Sequence, residues 1–529
     1  MFYKLNIYFI ILTFLLNSCR KEATIWNSNW TAPLISDTLS LKNWVNDSTL
    51  SVVNGNYQLA LKRNLFRFKP SELLKIPDTN ILKSYAISIS NITVAPGTSF
   101  VNDNKDHFFN MKDALMKNAR IKSGLIFVEV TNPLSTAIDI NIELTKVQIN
   151  GVKLNKSTRV PAKSGNNPGV STITVDLSGY WIDLSGSDGY QSNALSSKIT
   201  ALTDPNGTSV TLSSLDSTRF NLQFKDLQFD YARGYFGKHI FSDTFIFISK
   251  WLKDNIKGTI NLPEITTQFV IKNNIKDLSK VNIAKVSNTN NDLPYTTYLS
   301  NSQLGTPFYI ELPTGSWSTL QTTEKIVELN PLNSNIENFI ENLGDQTEIH
   351  YDLEINPNGN ITGNWDEFFP QSELSVDWLL NMPLAVGLNE FIITDTFALN
   401  LTQNEDNTHV ESAQLIIETE NAFPLEGDLN ILFLDENKQE LYQDKTKHTI
   451  LSSKNGHFTT LGIPSNFSNF TYSIPKEIVE EIEKIKYITI ELNLNSQSST
   501  PSQTLVEIPE NAFFAVRIKS KINLQNVLD

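Results

Sequence analysis

The sequence predicts an all-β protein made of tandem antiparallel β-sandwich-like units with a few short helices. Apolar and polar residues alternate in many short segments, for example residues 125–130, 220–224 and 488–492. A period of two is typical of strands that bury one face. Asn, Gly, Pro and Ser separate these segments, which is the composition of turns. Three landmarks also recur in the same order along the chain, which indicates repeated units.

The first landmark is an Asp-Thr pair that opens an alternating strand, and it begins at Asp37, Asp243 and Asp395. The second is a strand that breaks at an asparagine and then resumes, at Asn132, Asn274 and Asn421. Asparagine accepts left-handed backbone angles and hydrogen-bonds its own main chain, which favours a turn. The third is a strand that ends in a turn and is followed by one more strand, in the segments ALTDPNG, LEINPNG and ELNLNSQ.

These landmarks predict three β units behind an export segment. The predicted boundaries are a signal peptide over residues 1–18, a lipidated tether over 19–33, a first unit with an insertion over 34–240, a second unit over 241–391 and a third over 392–529. Two short helices are predicted, because Ser334 to Glu337 has the pattern of a capping box and residues 476–484 place apolar side chains on one face. The alternative, that such motifs recur by chance in an Asn-rich β protein, stays open.

The N-terminus has the pattern of a bacterial lipoprotein precursor. Lys4 precedes an apolar run over residues 5–16 that is too short to span a membrane comfortably, so it predicts a signal peptide. Leu16-Asn17-Ser18-Cys19 resembles the lipobox, and this resemblance implies cleavage before Cys19 and lipid on its sulfur. Cys19 is the only cysteine, so the mature chain has no disulfide and no thiolate metal site. The alternative is a short apolar core segment with a buried cysteine.

Two further resemblances concern the location of the protein. Arg20-Lys21-Glu22 resembles the export tag of Bacteroidetes-type surface lipoproteins, although three charged residues also suit a plain solvated tether. Residues 26–34, WNSNWTAPL, resemble the Trp-rich opening of large Bacteroidetes-type envelope lipoproteins. These resemblances imply a protein anchored by lipid to the outer membrane, on the periplasmic face or at the cell surface.

Residues 128–154 resemble a known β-sandwich motif. Their order of strand, Asn-Pro turn, strand and Asn-Gly turn is similar to that of the WHy/LEA-14 type β-sandwich. The resemblance implies a fibronectin-like sandwich of seven or eight strands without catalytic residues.

Composition and motifs argue against several functions. The net charge of −14 disfavours nucleic acid, whose recognition needs concentrated Lys and Arg. None of the six histidines has a second zinc-type ligand at metal-binding spacing, and nucleophile and phosphate-binding motifs are missing from the sequence. The stretch VNDNKDHFF resembles a calcium loop but lacks its glycine and its final glutamate. We therefore expect no enzyme, no metal and no cofactor.

Trp365 is followed by two carboxylates, Asp366 and Glu367. Adjacent residues of a strand point to opposite faces, so these carboxylates cannot flank one glycosidic bond, and they are interpreted as part of a solvated loop. Trp365 is the one tryptophan predicted to be exposed for glycan stacking, whereas Trp44, Trp181, Trp251, Trp317 and Trp378 are predicted to be core residues.

Modification is predicted at three hydroxyl groups. Each follows an aspartate and resembles the O-glycosylation acceptor of Bacteroidetes-type exported proteins; they are Thr38, Ser48 and Ser217.

The leading functional hypothesis is a non-enzymatic, membrane-tethered lipoprotein with a binding or scaffolding role at the bacterial cell envelope. Its expected partners are the membrane, through the lipid anchor, and other envelope proteins. One alternative is a glycan-binding surface lipoprotein of a nutrient-uptake system. Another is a lipid-binding carrier in which helix-plus-strand segments wrap acyl chains.

Overall fold

The computed structural model describes residues 24–43, 50–72, 78–86, 91–248, 253, 257–315, 319–399, 408–444, 446–459, 462–496 and 505–528. The predicted signal peptide, Cys19 and Ser48 lie outside the described residues, as do Trp44, Trp251 and Trp317. Antiparallel strands make up most of the described chain, which confirms the predicted all-β fold class.

The N-terminal segment contains β1 (Thr24–Ser40), β2 (Leu50–Val53), β3 (Asn56–Phe68), β4 (Thr79–Ala86) and β5 (Ile92–Val94), with 3₁₀ turns at Leu41–Asn43 and Pro70–Glu72. The strands that follow up to Tyr235 form a first sandwich. They are β6 (Ser99–Phe108), β7 (Leu115–Asn132), β8 (Ile138–Ile149), β9 (Val152–Val160), β10 (Gly169–Asp176), β11 (Trp181–Asp183), β12 (Ala194–Thr203), β13 (Val210–Leu212) and β14 (Ser217–Tyr235).

The second sandwich comes next in the chain. Its elements are β15 (His239–Ile248), β16 (Ile260–Asn261), β17 (Thr266–Asn273), β18 (Ser279–Asn290), β19 (Tyr295–Tyr298), β20 (Phe308–Ile310), β21 (Thr323–Leu329), α1 (Ile336–Glu341), β22 (Gln346–Ile355), β23 (Asp366–Phe368), β24 (Leu374–Pro383) and β25 (Ala385–Leu388). Within this group, β23 pairs with β14 of the first sandwich.

The third sandwich ends the chain. It contains β26 (Phe391–Ala398), β27 (Thr408–Asn421), β28 (Glu426–Leu434), β29 (Glu440–Gln443), β30 (His448–Ile450), β31 (His457–Phe458), β32 (Pro464–Ser473), α2 (Lys476–Val479), β33 (Tyr487–Asn495), β34 (Val506–Glu507) and β35 (Phe513–Leu528), with 3₁₀ turns at Ser453–Asn455 and Ile482–Lys484. A small sheet of β16, β25 and β34 links the second and third sandwiches.

Strand order repeats in the three sandwiches. One sheet has the order β6-β12-β8 in the first, β15-β22-β18 in the second and β26-β33-β28 in the third. The facing strands contain the pairs β14-β7, β24-β17 and β35-β27, and in the first sandwich β11 joins the two groups of strands into one continuous sheet. The predicted third landmark is confirmed in part, because each such segment ends β12, β22 or β33, but a short strand, β13, β23 or β34, precedes the predicted next strand, β14, β24 or β35.

The N-terminal strands complete the three sandwiches in reverse order. Strand β1 pairs with β35 of the third sandwich, β3 with β24 of the second and β4 with β14 of the first, always antiparallel. Strands β1, β3 and β4 therefore each extend a sheet of a different sandwich, and β3 pairs with β2 on its other side, so this part of the chain is not an insertion in the first unit alone. The predicted unit boundaries near residues 240 and 391 stay predictions.

Three asparagines at the ends of β7, β17 and β27 are completely buried; they are Asn132, Asn273 and Asn421. Each accepts a hydrogen bond on Oδ1 from the backbone N–H two residues later, at 2.8 to 3.0 Å. Each also donates from Nδ2 to backbone carbonyls, so the side chain replaces ladder partners that the turn removes. The prediction of Asn274 as the second landmark is wrong by one residue, since Asn273 makes these bonds.

The first landmark also needs a correction. Asp243 and Asp395 lie at matching positions of β15 and β26, and the residue at that position of β6 is Asp103. Asp37 lies instead on β1, which completes the third sandwich. In all three predicted pairs the threonine N–H donates a hydrogen bond to Oδ1 of the preceding aspartate at 2.7 Å. The Asp-Thr motif therefore marks this local hydrogen bond and does not mark one fixed position in the repeat.

The two helices are shorter than predicted. Helix α1 begins after Asn335, whose side chain makes no capping bond, and the Ser334 hydroxyl donates to the Asn330 carbonyl. The capping box is therefore wrong, although Ile336, Phe339 and Ile340 are buried as predicted. The second predicted helix is divided into α2 and the 3₁₀ turn at Ile482–Lys484.

Buried apolar side chains form two clusters in the described residues. One fills the first sandwich and includes Phe368 of β23. The other runs continuously through the second and third sandwiches and includes Ile35, Leu39 and Phe68 of the N-terminal strands. The N-terminal strands thus supply core residues as well as backbone hydrogen bonds.

We expect Asn421→Ala to lower the free energy of unfolding by about 2–4 kcal/mol, because it removes the partner of one buried N–H, of the buried Leu425 carbonyl and of the partly buried Leu451 carbonyl. Urea denaturation followed by fluorescence measures this loss. Asn430→Ala is the matched control, since Asn430 is half-buried and its Nδ2 donates to Glu491 at 3.1 Å. Equal losses for the two variants would contradict the role of Asn421.

Candidate functional site

The candidate site lies where the second sandwich meets the first. Strand β23 follows β22 in the chain but pairs with β14, which sets Glu367 opposite Arg233. Phe368 anchors this strand, because it is buried in the first core against Phe229 and Phe236, with ring centroids 5.6 and 4.6 Å away. Side chains alternate along a strand, so Asp366 shares the inner face with Phe368 while Glu367 points outward.

Glu367 is the centre of a charged network on the outward face. Its Oε1 accepts hydrogen bonds from the Tyr231 hydroxyl at 2.9 Å and from Arg233 Nη2 at 3.2 Å. Its Oε2 accepts a hydrogen bond from Lys276 Nζ at 2.8 Å. Burial by itself would raise the pKa of Glu367, but these three donors outweigh it and hold the pKa below its ordinary value. Glu367 is therefore an ionised acceptor fixed by three partners.

Aromatic side chains extend this network in two directions. Trp181 and Phe369 each contact the Tyr231 ring, both with centroids 5.5 Å apart. On the other side, the Arg233 guanidinium lies 5.2 Å from the centre of the Trp365 ring. Trp365 is 62 % exposed and Trp181 is 37 % exposed. We call the surface formed by Trp181, Arg233, Lys276, Trp365 and Glu367, with the buried Tyr231 beneath it, the junction face.

Two carboxyl groups are buried beneath the junction face. Asp277 and Asp366 are only 2 % and 7 % exposed, and Oδ1 of Asp277 has no hydrogen-bond partner. Burial, followed by the charge of Asp366, raises the pKa of Asp277 well above its ordinary value, and burial also raises the pKa of Asp366. The interpretation of Asp366 and Glu367 as a solvated loop is therefore wrong. They do lie on opposite faces, as predicted.

The ionisable groups of the junction face have fixed hydrogen-bond partners. Burial and the bond to Glu367 raise the pKa of Tyr231 to about 12, so its hydroxyl stays protonated. The ionised Glu367 and the cations around it are bonded to one another. Asp277 and Asp366 lie on the buried side, so they do not share one face with Glu367.

The structure does not bring the other predicted site residues to the junction face. Thr38 is exposed on β1 at the third sandwich. Ser217 lies on β14, where its hydroxyl is hydrogen-bonded to that of Ser84. Cys19 and Ser48 lie outside the described residues. The proposed modifications at these positions, and glycan stacking on Trp365, stay predictions.

Sequence reasoning missed several exposed aromatic residues. Trp181 was expected in the core, yet it is part of the junction face, and Trp26 and Trp30 are 53 % and 63 % exposed on β1. Trp378 is buried as predicted and donates from its indole to Thr267 Oγ1 at 2.6 Å. The alternation of Tyr231 and Arg233 in the segment YARGY was the one signal that could have marked this face.

Two buried histidines, His107 and His448, lie in other parts of the fold. A hydrogen bond of 2.7 Å joins His107 Nε2 to Ser197 Oγ in the first sandwich, and another of 2.7 Å joins His448 Nε2 to Asp444 Oδ2 in the third. Among the described residues, no group of three or more His, Cys, Asp or Glu side chains could hold a metal ion. The calcium-loop-like stretch VNDNKDHFF lies almost entirely in strand β6.

Helices of the described ranges are all too short or too polar to cross a bilayer.

No family model matches the sequence, and no curated protein sequence matches it. Among solved structures, a candidate secreted protein of Parabacteroides distasonis is similar at a TM-score of 0.28 and 10 % identity, over 94 % of this chain and 99 % of that one. The top component of cowpea mosaic virus aligns at 0.16 and 11 % identity, over 60 % and 90 %. The glycosylasparaginase PNGase F of Flavobacterium meningosepticum aligns at 0.12 and 14 % identity, over 56 % and 94 %. At such TM-scores none of these proteins lends a property to this chain.

The buried carboxyl pair predicts a pH effect on stability. Because the folded chain disfavours ionised Asp277, its contribution to stability is complete below the ordinary pKa of 3.8 and is lost as the pH rises through the raised pKa. Asp277→Asn removes the charge, so we expect the variant to gain stability relative to the wild type as the pH rises from about 4 to 8.

Urea denaturation at a series of pH values measures this difference. Asp188→Asn, at an exposed position, is the control and should show no gap that grows with pH. A constant gap between Asp277→Asn and the wild type over the whole pH range would contradict the burial of an ionisable pair.

Proposed function

We propose that this protein is a non-enzymatic lipoprotein that is tethered to the outer membrane and binds or positions other components of the bacterial cell envelope. The observation that carries the proposal is the pairing of β1 with β35, which joins residues 24–40 to the C-terminal strand along almost their whole length. The predicted lipid site, Cys19, precedes this strand directly in the sequence. The anchor thus leads into a folded sandwich rather than into a long linker.

The short connection limits the distance between lipid and body. Residues 20–24 span at most about 17 Å when fully extended. The third sandwich would therefore lie next to the membrane, and the first sandwich, at the other end of the N-terminal strands, would lie farther away. This order suits a protein that presents its first and second sandwiches to partners in the envelope.

The polar side chains of the junction face support a role without catalysis. Glu367 is bonded to Tyr231, Arg233 and Lys276, and the carboxyl group of Asp366 points the other way. In the helix-plus-strand segment around α1, Ile336 and Phe339 are buried in the core. Because these apolar side chains are used in packing and are not free to contact acyl chains, they favour binding or scaffolding over the carriage of lipid.

The anchor is tested by lipid labelling. We expect Cys19→Ala to leave a precursor that keeps its signal segment and takes up no labelled palmitate, because the acylated sulfur is gone. Ser18→Ala keeps a small residue before the cleavage site and should be labelled like the wild type. Normal palmitate incorporation by Cys19→Ala would show that the protein is not a lipoprotein of this kind.

The proposed division into three units is supported by the repeated strand order and is tested by truncation. A chain that ends at Glu510 lacks β35, which pairs with both β1 and β27 in the third sandwich. We expect limited proteolysis of this chain to give a stable fragment ending near residue 390, because β3 and β4 still complete the other two sandwiches. Uniform digestion from end to end, against an intact control that resists, would mean that the three units do not fold independently.

A further inference from the structure

The junction face has exposed indoles at its two ends and a polar centre. Four neighbouring strands carry this face, in the order β11, β7, β14 and β23. Trp181 on β11 lies opposite Arg120 on β7, and Arg120 lies opposite Tyr231 on β14. Neighbouring strands are about 4.8 Å apart and residues rise about 3.4 Å, so the Cα atoms of Trp181 and Trp365 lie about 20 Å apart, and both indoles lean inward from there, against Tyr231 and Arg233. This length corresponds to an extended chain-like ligand rather than a single small molecule.

We propose that the junction face binds an extended neutral oligosaccharide. Pyranose rings present apolar C–H faces that pack on the face of an indole, and Trp365 and Trp181 expose 62 % and 37 % of their surface for such contacts. Aromatic side chains of this kind provide a large contact area with little loss of conformational freedom. The two ends of the ligand lie on the two indoles.

The centre of the face suits sugar hydroxyl groups. The ionised Glu367 accepts hydrogen bonds, and the Arg233 guanidinium beside Trp365 donates them, which gives charge-assisted bonds to hydroxyls. These groups are held in place by Tyr231 and Lys276 before any ligand arrives. A preformed site costs less conformational entropy on binding.

The pairing of charges favours a neutral ligand. Glu367 is paired with Arg233 and Lys276, and Arg120 with Asp230. An anionic chain would have to compete with Glu367 and Asp230 for these cations, whereas an apolar peptide would remove paired charges from water without replacing their bonds. Hydroxyl groups can join the network without breaking it.

This site goes beyond the proposed tethering and scaffolding role, and it does not depend on the lipid anchor. If the palmitate experiment fails, the binding site is unaffected, and if no sugar binds, the anchor is unaffected.

The experiment is calorimetric titration of the purified full-length lipoprotein in detergent micelles. The probes are neutral hexasaccharides of β-1,4-linked glucose, β-1,4-linked mannose and α-1,4-linked glucose, with the corresponding disaccharides and an anionic hyaluronan hexasaccharide. We expect at least one neutral hexasaccharide to bind, and its disaccharide to bind at least about tenfold more weakly because it reaches only one indole.

Trp365→Ala should weaken that binding at least about tenfold, as expected for an aromatic anchor, and Trp365→Tyr should restore most of it. Trp30→Ala is the matched control, since Trp30 is 63 % exposed but lies on β1 of the third sandwich, and it should leave the affinity unchanged. Three results would overturn the proposal: no neutral hexasaccharide binds, the hyaluronan probe binds more tightly than every neutral one, or Trp30→Ala weakens binding as much as Trp365→Ala.

Discussion

The open edges of three sandwiches are the constraint on which the rest of this structure depends. Strands β14, β24 and β35 each pair with a neighbour inside their own sandwich, and each has a second side whose backbone N–H and C=O groups need partners. The N-terminal strands supply those partners and bury Leu39 and Phe68 in the same step. Because β1 and β35 are far apart in the sequence, the third sandwich closes through a contact of very long sequence separation.

Local patterns could be predicted from the sequence, but long-range pairing could not. The turn segments after β12, β22 and β33 were found because turn chemistry is local. The choice between Asn273 and Asn274 was missed, since both are asparagines and only pairing with distant strands decides which one is buried. Asp37 was misplaced for the same reason: its bond to the next N–H is local, whereas its strand pairs with the far end of the chain.

The candidate site shows the same division. Trp365 was found because its turn-rich surroundings predict exposure. Trp181, Arg233 and Lys276 could not be assigned to it, because Trp181 reaches it through the pairing of β11 with β7, Arg233 through the pairing of β14 with β23, and Lys276 through the turn that follows β17. Two adjacent carboxylates in a polar segment suggested solvation, yet the pairing of β23 buries one and surrounds the other with cations.

The junction of the first two sandwiches therefore combines a stabilising and a destabilising contact. Lys276 and Asp277 are consecutive residues of one turn. Lys276 forms an ion pair with Glu367, whereas Asp277 lies near a second carboxyl group, that of Asp366. Burying two carboxyl groups is unfavourable unless at least one is protonated. Phe368, which is buried in the core of the first sandwich, provides apolar burial that offsets this cost. The pairing of β23 with β14 thus joins the two sandwiches and also sets Glu367 and Trp365 on the outer surface.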